Sequence, residues 1–155
     1  SGFKFSVQLV EKLAKEFPQI IGIKDSTANI YDKIKKKNFK IFVGSEVRLL
    51  DNLKVGGAGI ISATINVTSS IAQNVYSCFK RGVEPELNEH MVLVRKVFDK
   101  YNLISALHSY KSQEDACYKN IIPPLKLLNS EDTRKLLDEL KKLKFKKAAW
   151  GKICY

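Results

Sequence analysis

The sequence predicts an α/β fold in which about three parallel strands are joined by crossover helices and are followed by further helices. Three observations support this prediction. Short apolar runs alternate with amphipathic stretches over residues 1–83, the connections between them are only a few residues long, and residues 84–155 are helical in pattern. Because parallel neighbours need a helix to bring the chain back, this alternation favours right-handed crossovers.

The elements of the first part follow from capping residues and apolar spacing. Ser6 is a helix-capping residue, the apolar residues after it recur at helical spacing, and Pro18 ends that helix. Runs rich in β-branched residues predict strands, and Gly56 and Gly57 suit the end of the helix before the last strand. The predicted helices span 6–17, 30–37, 47–55 and 71–81, and the predicted strands span 19–24, 39–43 and 59–64.

The second part is predicted to be helical over 85–101, 104–114 and 130–143, with an extended break at 120–125. Ser130 is the predicted cap of the last helix, since Glu131 and Asp132 follow it. No internal repeat or low-complexity linker marks a boundary. The sequence therefore predicts a single domain over 1–155, with βα units in 1–83 and a helical part in 84–155.

A sheet of three parallel strands leaves two unpaired edges. Such edges present rows of backbone donors and acceptors that invite pairing with another chain, and apolar strands also need cover on both faces. We therefore expect a homo-oligomer. A closed eight-stranded barrel needs about 250 residues, which is more than the 155 of this sequence.

Composition limits the possible classes of protein. Apolar residues make up 45% and aromatic residues 10% of the chain, which is enough for a core and excludes a disordered protein. No apolar run approaches the roughly 20 residues of a membrane helix, and the start resembles no signal peptide. Three distant cysteines (Cys78, Cys117 and Cys154) form neither a disulfide framework nor a zinc motif, so a cytoplasmic location is expected. His90 and His108 lack metal-ligand spacing, so neither a metal nor another cofactor is expected.

Basic residues are concentrated at two places in a chain of net charge +11. No stacking aromatics or nucleic-acid-binding motif accompany them, so no nucleic-acid partner is expected, and the positive field favours small anionic substrates. The clusters are Lys33, Lys35, Lys36, Lys37 and Lys40, and Lys141, Lys142, Lys144, Lys146 and Lys147.

Lys24 is the residue with the clearest chemical potential. It ends a predicted strand of isoleucines and precedes turn-forming residues. In parallel α/β folds, the carboxyl ends of the strands line the functional crevice. Apolar surroundings would disfavour the ammonium form, and a neutral amine attacks a ketone to form a Schiff base. The alternative is a lysine whose stem lies on the strand while its ammonium group reaches water.

Four segments, in order along the chain, resemble the dihydrodipicolinate synthase / N-acetylneuraminate lyase family. The first is similar to its Schiff-base segment and the second to its loop ending in Gly-Ser-Asp or Gly-Asp-Asp. The third is similar to its GGxGvISxxxNv segment and the fourth to its C-terminal PPL element. The segments are 20–29 (IIGIKDSTAN), 42–46 (FVGSE), 56–67 (GGAGIISATINV) and 123–125 (PPL).

This resemblance implies that the chain is the C-terminal half of a TIM (β/α)8 barrel with additional C-terminal helices. Lys24 would then condense with pyruvate or a related 2-oxo acid, with an aldehyde as a possible second substrate, as in 4-hydroxy-tetrahydrodipicolinate synthase. Ser26 would line the site, although it could equally cap a helix. Gly44 and Ser45 would contact the variable part of the substrate, and Ile61 would direct its backbone carbonyl toward the lysine.

The sequence also departs from the family. Its proton-shuttling tyrosine, a carboxylate-binding arginine and a relay threonine have no counterpart here, because Ser1-Gly2 resembles the end of the family's YNxPxxxG segment. A catalytically silent half-barrel that acts as an assembly module is therefore an alternative.

The sequence leaves two classes of substrate open. Glu46 is followed by Val47 where sialate-type lyases carry consecutive acids, and Ala63 stands where those lyases tend to place a hydroxyl. Both departures weigh against a sialic-acid lyase. They do not separate a dihydrodipicolinate synthase from a 2-keto-3-deoxy-sugar-acid aldolase.

Overall fold

The computed structural model describes residues 4–34 and 37–145. These residues belong to two compact units, Ser1–Ser62 and Ala63–Tyr155. The prediction of one domain over the whole chain stays a prediction. Several residues singled out in the sequence lie outside the described ranges: Ser1, Gly2, Lys35, Lys36, Lys146, Lys147 and Cys154.

The first unit contains a three-stranded sheet in the order β1-β2-β3, and both strand pairs are parallel. This confirms the predicted parallel strands. Ser6 caps the first helix as expected, because its hydroxyl oxygen accepts the Leu9 amide at 3.2 Å. The elements are α1 (Val7–Glu16), β1 (Gly22–Asp25), β2 (Lys40–Val43), a 3₁₀ turn (Glu46–Arg48), α2 (Leu49–Lys54) and β3 (Gly59–Ile60).

One face of the sheet is packed against α1. Ile23 and Ile41 are register partners on β1 and β2, and both belong to an apolar cluster that includes Val10 of α1. Ile30 and Ile34, from the loop between the two strands, complete this cluster. Because side chains alternate along a strand, Lys24 and its register partner Phe42 lie on the opposite face.

The helix predicted over 30–37 is wrong for the residues described there. The amides of Lys33 and Ile34 both bond the Ile30 carbonyl, which makes a single turn. Ile30 and Ile34 reach the core within that turn, so burial does not require a longer helix. Like charges four residues apart, at Lys33 and Lys37, also disfavour one.

Three other boundaries differ from the prediction. β1 begins at Gly22 and not at 19, β3 contains only Gly59–Ile60, and the next helix begins at Ile65 and not at 71. The early helix start is stabilised by the Thr64 carbonyl, which accepts the amides of Val67 and Thr68. Local propensity is a weak guide where such bonds and packing decide the boundary.

In the second unit, residues 63–145 form helices around an apolar core. Its core draws buried residues from each of the four α-helices found up to residue 145, including Val67, Phe98, Leu107 and Leu136. The last helix is capped by Asn129 and not by Ser130, since the Asn129 side chain accepts the Asp132 amide at 2.8 Å. The elements are α3 (Ile65–Lys80), α4 (Leu87–Phe98), α5 (Leu103–Lys111), a 3₁₀ turn (Ala116–Lys119) and α6 (Ser130–Lys142).

The break between the 3₁₀ turn and α6 is irregular, as predicted, and contains a cis peptide bond between Pro123 and Pro124. Within the described ranges, no helix is both long enough and apolar enough to cross a membrane.

Candidate functional site

Lys24 lies on β1 near the carboxyl end of the strand, and its side chain is exposed. The expectation of a lysine in dry, apolar surroundings is therefore wrong for the part of the chain that the structure describes. The physical reason is the direction of the side chain. Ile23 points toward the cluster around α1, so Lys24 points to the other face, where the nearby Ile61 also stays 49% exposed.

Asp25, the next residue, organises the loop that follows Lys24. It is only 3% exposed, and its Oδ1 accepts the Thr27 amide at 3.0 Å and the Thr27 hydroxyl at 2.8 Å. Its Oδ2 accepts the amides of Ile30 at 2.8 Å and Tyr31 at 3.0 Å. One carboxylate thus satisfies four donors of a loop that has no strand or helix ladder of its own.

These bonds also set the charge state of Asp25. Burial alone would raise the pKa of its carboxyl, but the hydrogen bonds from Ile30, Thr27 and Tyr31 outweigh burial and hold the pKa below its usual value. The loop includes Ala28 at a φ of 55°, a left-handed conformation that costs a non-glycine residue about 1–2 kcal/mol. The Asp25 carboxylate bonds residues on both sides of Ala28, Thr27 before it and Ile30 and Tyr31 after it.

Ser26 and Gly44 are brought close together by the pairing of β1 and β2. The Gly44 amide donates to the Asp25 carbonyl at 3.0 Å. A Cβ at Gly44 would lie 2.9 Å from both the Cα and the Oγ of Ser26, so only glycine fits. The capping role considered for Ser26 is wrong, because Asp25 accepts the loop amides that a cap would bind.

Glu46 and Ser62 connect the segments that follow β2 and β3. Glu46 is completely buried, and its Oε2 accepts the Ser62 hydroxyl at 2.9 Å. Ser62 comes directly after Ile61, whose amide donates to the Val43 carbonyl at 2.9 Å. Glu46 therefore positions the chain at the end of β3, a role that the sequence did not indicate.

The candidate residues share one edge of the sheet. Lys24 and Ser26 lie at the carboxyl end of β1, Gly44 and Ser45 follow β2, and Ile61 follows β3. Because the strands are parallel, their carboxyl ends are at the same edge. The sequence missed Asp25, although an aspartate followed by Ser-Thr-Ala-Asn is typical of a turn closed by the aspartate side chain.

The described residues contain no group of three or more His, Cys, Asp or Glu side chains that could hold a metal ion.

Comparisons with known proteins point to one family. The profile of the Dihydrodipicolinate synthetase family matches residues 1–143. A DapA-like lyase of Pyrococcus horikoshii is 31% identical over 87% of this chain and 51% of its own length. The 4-hydroxy-tetrahydrodipicolinate synthase of Methanopyrus kandleri is 31% identical over 92% of this chain and 50% of its own. The chain thus spans about half the length of these curated relatives.

Solved structures give the same picture of the fold. Dihydrodipicolinate synthase from Aquifex aeolicus superposes with a TM-score of 0.81 at 24% identity, covering 90% of this chain and 50% of that one. A prophage protein of the dihydrodipicolinic acid synthase family from E. coli K12, in complex with pyruvate, superposes with a TM-score of 0.78 at 21% identity, covering 91% and 52%. These matches confirm the predicted fold class, half of a TIM barrel with C-terminal helices.

Proposed function

The chain belongs to the dihydrodipicolinate synthetase family, and we propose from this membership that it provides the nucleophile of a Schiff-base-forming lyase or synthase acting on pyruvate or a related 2-oxo acid. Lys24 is that nucleophile. The observation that carries the proposal is the position of Lys24 on β1, followed by a loop that the buried Asp25 holds through four hydrogen bonds. Ser26, Gly44, Ser45 and Ile61 are the proposed substrate-binding residues.

The chemistry follows from the amine. Lys24 Nζ attacks the ketone carbon of the 2-oxo acid, water leaves, and an iminium forms that accepts electrons from the neighbouring carbon. Loss of a proton then gives an enamine, which adds to an aldehyde in the synthetic direction.

The aldehyde proposed as second substrate is one without many hydroxyl groups, as in 4-hydroxy-tetrahydrodipicolinate synthase. A sugar-derived aldehyde needs acceptors for its hydroxyls at the strand ends. Glu46, the acid at the end of β2, is completely buried and already accepts the Ser62 hydroxyl. A 2-keto-3-deoxy-sugar-acid aldolase is therefore the less favoured alternative.

We also propose that the protein is a cytoplasmic homo-oligomer. Two features of the described residues support association. The open edges of the sheet can pair with a strand of another chain, and the exposed Ile61 would be buried by such contact. Cys78 and Cys117 are free thiols, which is usual in a reducing compartment.

The second candidate function is a catalytically silent half-barrel that acts as an assembly module. The exposure of Lys24 favours it, since in this respect Lys24 resembles an ordinary surface lysine. The two candidates differ in whether Lys24 reacts with a ketone faster than an ordinary surface lysine does.

Reductive trapping tests this difference. The full chain is incubated with pyruvate and borohydride, and the carboxyethyl group left on each lysine is measured by peptide mass spectrometry. Lys40 is the internal reference, because it is exposed and lies on β2 opposite Gly22, on the same face of the sheet as Lys24. The Lys24→Ala and Lys40→Ala variants are the matched controls.

The proposed enzyme function predicts trapping on Lys24 about tenfold faster than on Lys40, as expected for an activated amine. This excess should vanish in Lys24→Ala and persist in Lys40→Ala. Equal labelling of the two lysines in the wild-type chain would overturn the proposal and support the silent module.

A further inference from the structure

We propose that the helical unit contains a binding site for a small monocarboxylate anion, in a cavity between α5 and the start of α3. The cavity has a volume of about 160 Å³. The proposal does not depend on the chemistry of Lys24, because every lining residue belongs to the second unit. The lining residues that the argument uses are Asn66, Ile104, Leu107, His108, Lys111 and Tyr118.

The wall contributed by α5 is amphiphilic because of helical spacing. Ile104, Leu107, His108 and Lys111 are related by i, i+3, i+4 and i+7, which places them on one face of the helix. Two of these side chains are apolar and two are basic. A ligand that matches this stripe has a hydrocarbon part beside Ile104 and Leu107 and an anionic group beside His108 and Lys111.

His108 is held in one orientation. Its Nδ1 lies 2.8 Å from the Tyr118 carbonyl oxygen, which only accepts hydrogen bonds, so Nδ1 carries the hydrogen. No described residue bonds the other ring nitrogen, Nε2. Nε2 is therefore the ring nitrogen available to a ligand.

Lys111 adds a positive charge that is already oriented. Its Nζ lies 4.4 Å from the centre of the Tyr118 ring, and the side chain is half-buried. The ring holds the ammonium group in place without neutralising its charge. The nearby Asp115 carboxylate accepts the Cys117 amide, and none of the residues lining the cavity is acidic.

The start of α3 provides a further favourable contribution. Asn66 lies in the first turn of this 16-residue helix, whose N-terminal end carries a positive partial charge. Its side-chain amide donates to the Ala63 carbonyl, which fixes it at the cavity wall. The α3 side thus contributes a fixed polar wall, and the positive charge at the cavity comes from Lys111 on α5.

The volume limits the ligand to a small molecule. A cavity of about 150 Å³ holds benzene, which has about six non-hydrogen atoms. Carboxylates of three or four carbons are of this size. Leu107 is only 5% exposed and Ile104 is 38% exposed, so a branched hydrocarbon part would cover apolar surface that is now partly open to water.

Isobutyrate is the appropriate probe. It has the required size and charge, and it has no ketone, so it cannot condense with Lys24. It is titrated into the ¹⁵N-labelled full chain while backbone and side-chain amide shifts are followed by NMR. The uncharged isostere isobutyramide is titrated in parallel. Failure of this site would leave the trapping experiment on Lys24 unaffected, and the reverse also holds.

We expect saturable shifts at the residues lining the cavity, with a dissociation constant of about 1 mM, which is reasonable for a ligand of this size. Isobutyramide should bind about tenfold more weakly, because it lacks the charge. Lys111→Met keeps the apolar stem and should also weaken isobutyrate about tenfold. Lys119→Met, at an exposed position of the next turn, should bind as the wild type does.

Three results would each overturn the site. They are shifts that stay linear in isobutyrate concentration, equal binding of isobutyramide by the wild-type chain, and undiminished binding by Lys111→Met. The comparison of the two ligands on the wild-type chain does not depend on any variant folding correctly.

Discussion

At the scale of single residues, the Asp25 carboxylate holds the loop that follows Lys24. It is buried, it accepts hydrogen bonds from three amides and one hydroxyl, and it lies between Lys24 and the strained Ala28. Its lowered pKa means that the folded protein favours the ionised form more strongly than the unfolded chain does. Folding stability is therefore linked to pH through this residue.

The sign of this linkage gives the first prediction. A carboxyl whose pKa is lowered by folding stabilises the protein fully above its unfolded pKa of about 3.9, and the stabilisation is lost as pH falls through the lower folded value. Asp25→Asn should reduce the free energy of unfolding at pH 7 by about 2 kcal/mol, because the amide nitrogen would face backbone N–H donors. Acidification lowers the free energy of unfolding of the wild type through Asp25, so the decrease between neutral and acidic pH should be smaller in the variant.

Urea unfolding at neutral and acidic pH measures both quantities. Asp51→Asn is the control, since Asp51 pairs with Arg48 only at the surface. A variant with unchanged stability at pH 7 would show that the four hydrogen bonds contribute little.

Gly44 provides the second prediction at this scale. A Cβ at this position would lie 2.9 Å from the Cα and Oγ of Ser26 and 3.2 Å from its Cβ. Gly44→Ala should cost about 1–3 kcal/mol of stability, because a backbone atom must move. It should also slow pyruvate trapping on Lys24, since the displaced loop begins next to that lysine.

A rescue experiment makes this prediction specific. Adding Ser26→Gly removes the Oγ and Cβ atoms from the overlap but leaves the backbone carbon of residue 26 in place, so it should restore only part of the lost stability. Gly82→Ala is the control for trapping, because Gly82 has a φ of 69° but no atom near its added Cβ. Normal trapping in Gly44→Ala would argue against a role of the Ser26–Gly44 approach in positioning Lys24.

At the scale of elements, local sequence patterns predicted which helices and strands exist better than where each begins and ends. The spacing of apolar residues identified α1 and α6, whose buried residues Val10, Ala14, Leu136 and Leu140 form one stripe on each helix. The parallel order of the strands also followed from the alternation of elements. These features depend on neighbours in sequence, which is why the sequence revealed them.

The features that were not predicted depend on distant contacts. A helix was expected after Ser26, but Asp25 takes the amides of Ile30 and Tyr31 and leaves one turn. The position of Lys24 at a strand end was predicted correctly, whereas its exposure was not. Whether a sheet face is buried depends on packing against residues distant in sequence, so the sequence of a strand alone does not predict it.

The cap of α6 gives a prediction at this scale. Asn129 accepts the Asp132 amide with its side-chain oxygen and donates from its nitrogen to the Asp132 carboxylate at 2.9 Å. Asn129→Ala should therefore lower the free energy of unfolding by about 1 kcal/mol. Ser130→Ala, which changes the residue that the sequence suggested as the cap, should change stability by less than about 0.5 kcal/mol.

Thermal or urea unfolding of the two variants compares these positions directly. If Ser130→Ala were the more destabilising variant, the cap would be the one predicted from sequence, and the helix would start one residue later than the structure has it.

At the scale of the whole molecule, two properties oppose each other. The chain carries a net charge of +11, which disfavours contact between copies. Among the described residues, the sheet is open at the edges of β1 and β3 and Ile61 is exposed, and both features favour contact. Salt screens the charge repulsion but does not weaken pairing of strand edges or apolar contact, so varying the salt concentration distinguishes the two effects.

We predict that the isolated chain self-associates at micromolar concentration and that association strengthens as salt is raised from about 0.01 M to about 0.15 M, because the Debye length falls from about 30 Å to about 8 Å. Ile61→Lys should weaken association, since it adds charge to the exposed side of the sheet. Ile122→Lys is the control, at an 83% exposed position in the break before α6. Sedimentation velocity measures these effects, and a stable monomer at both salt concentrations would mean that the strand edges of this chain do not pair with a second copy.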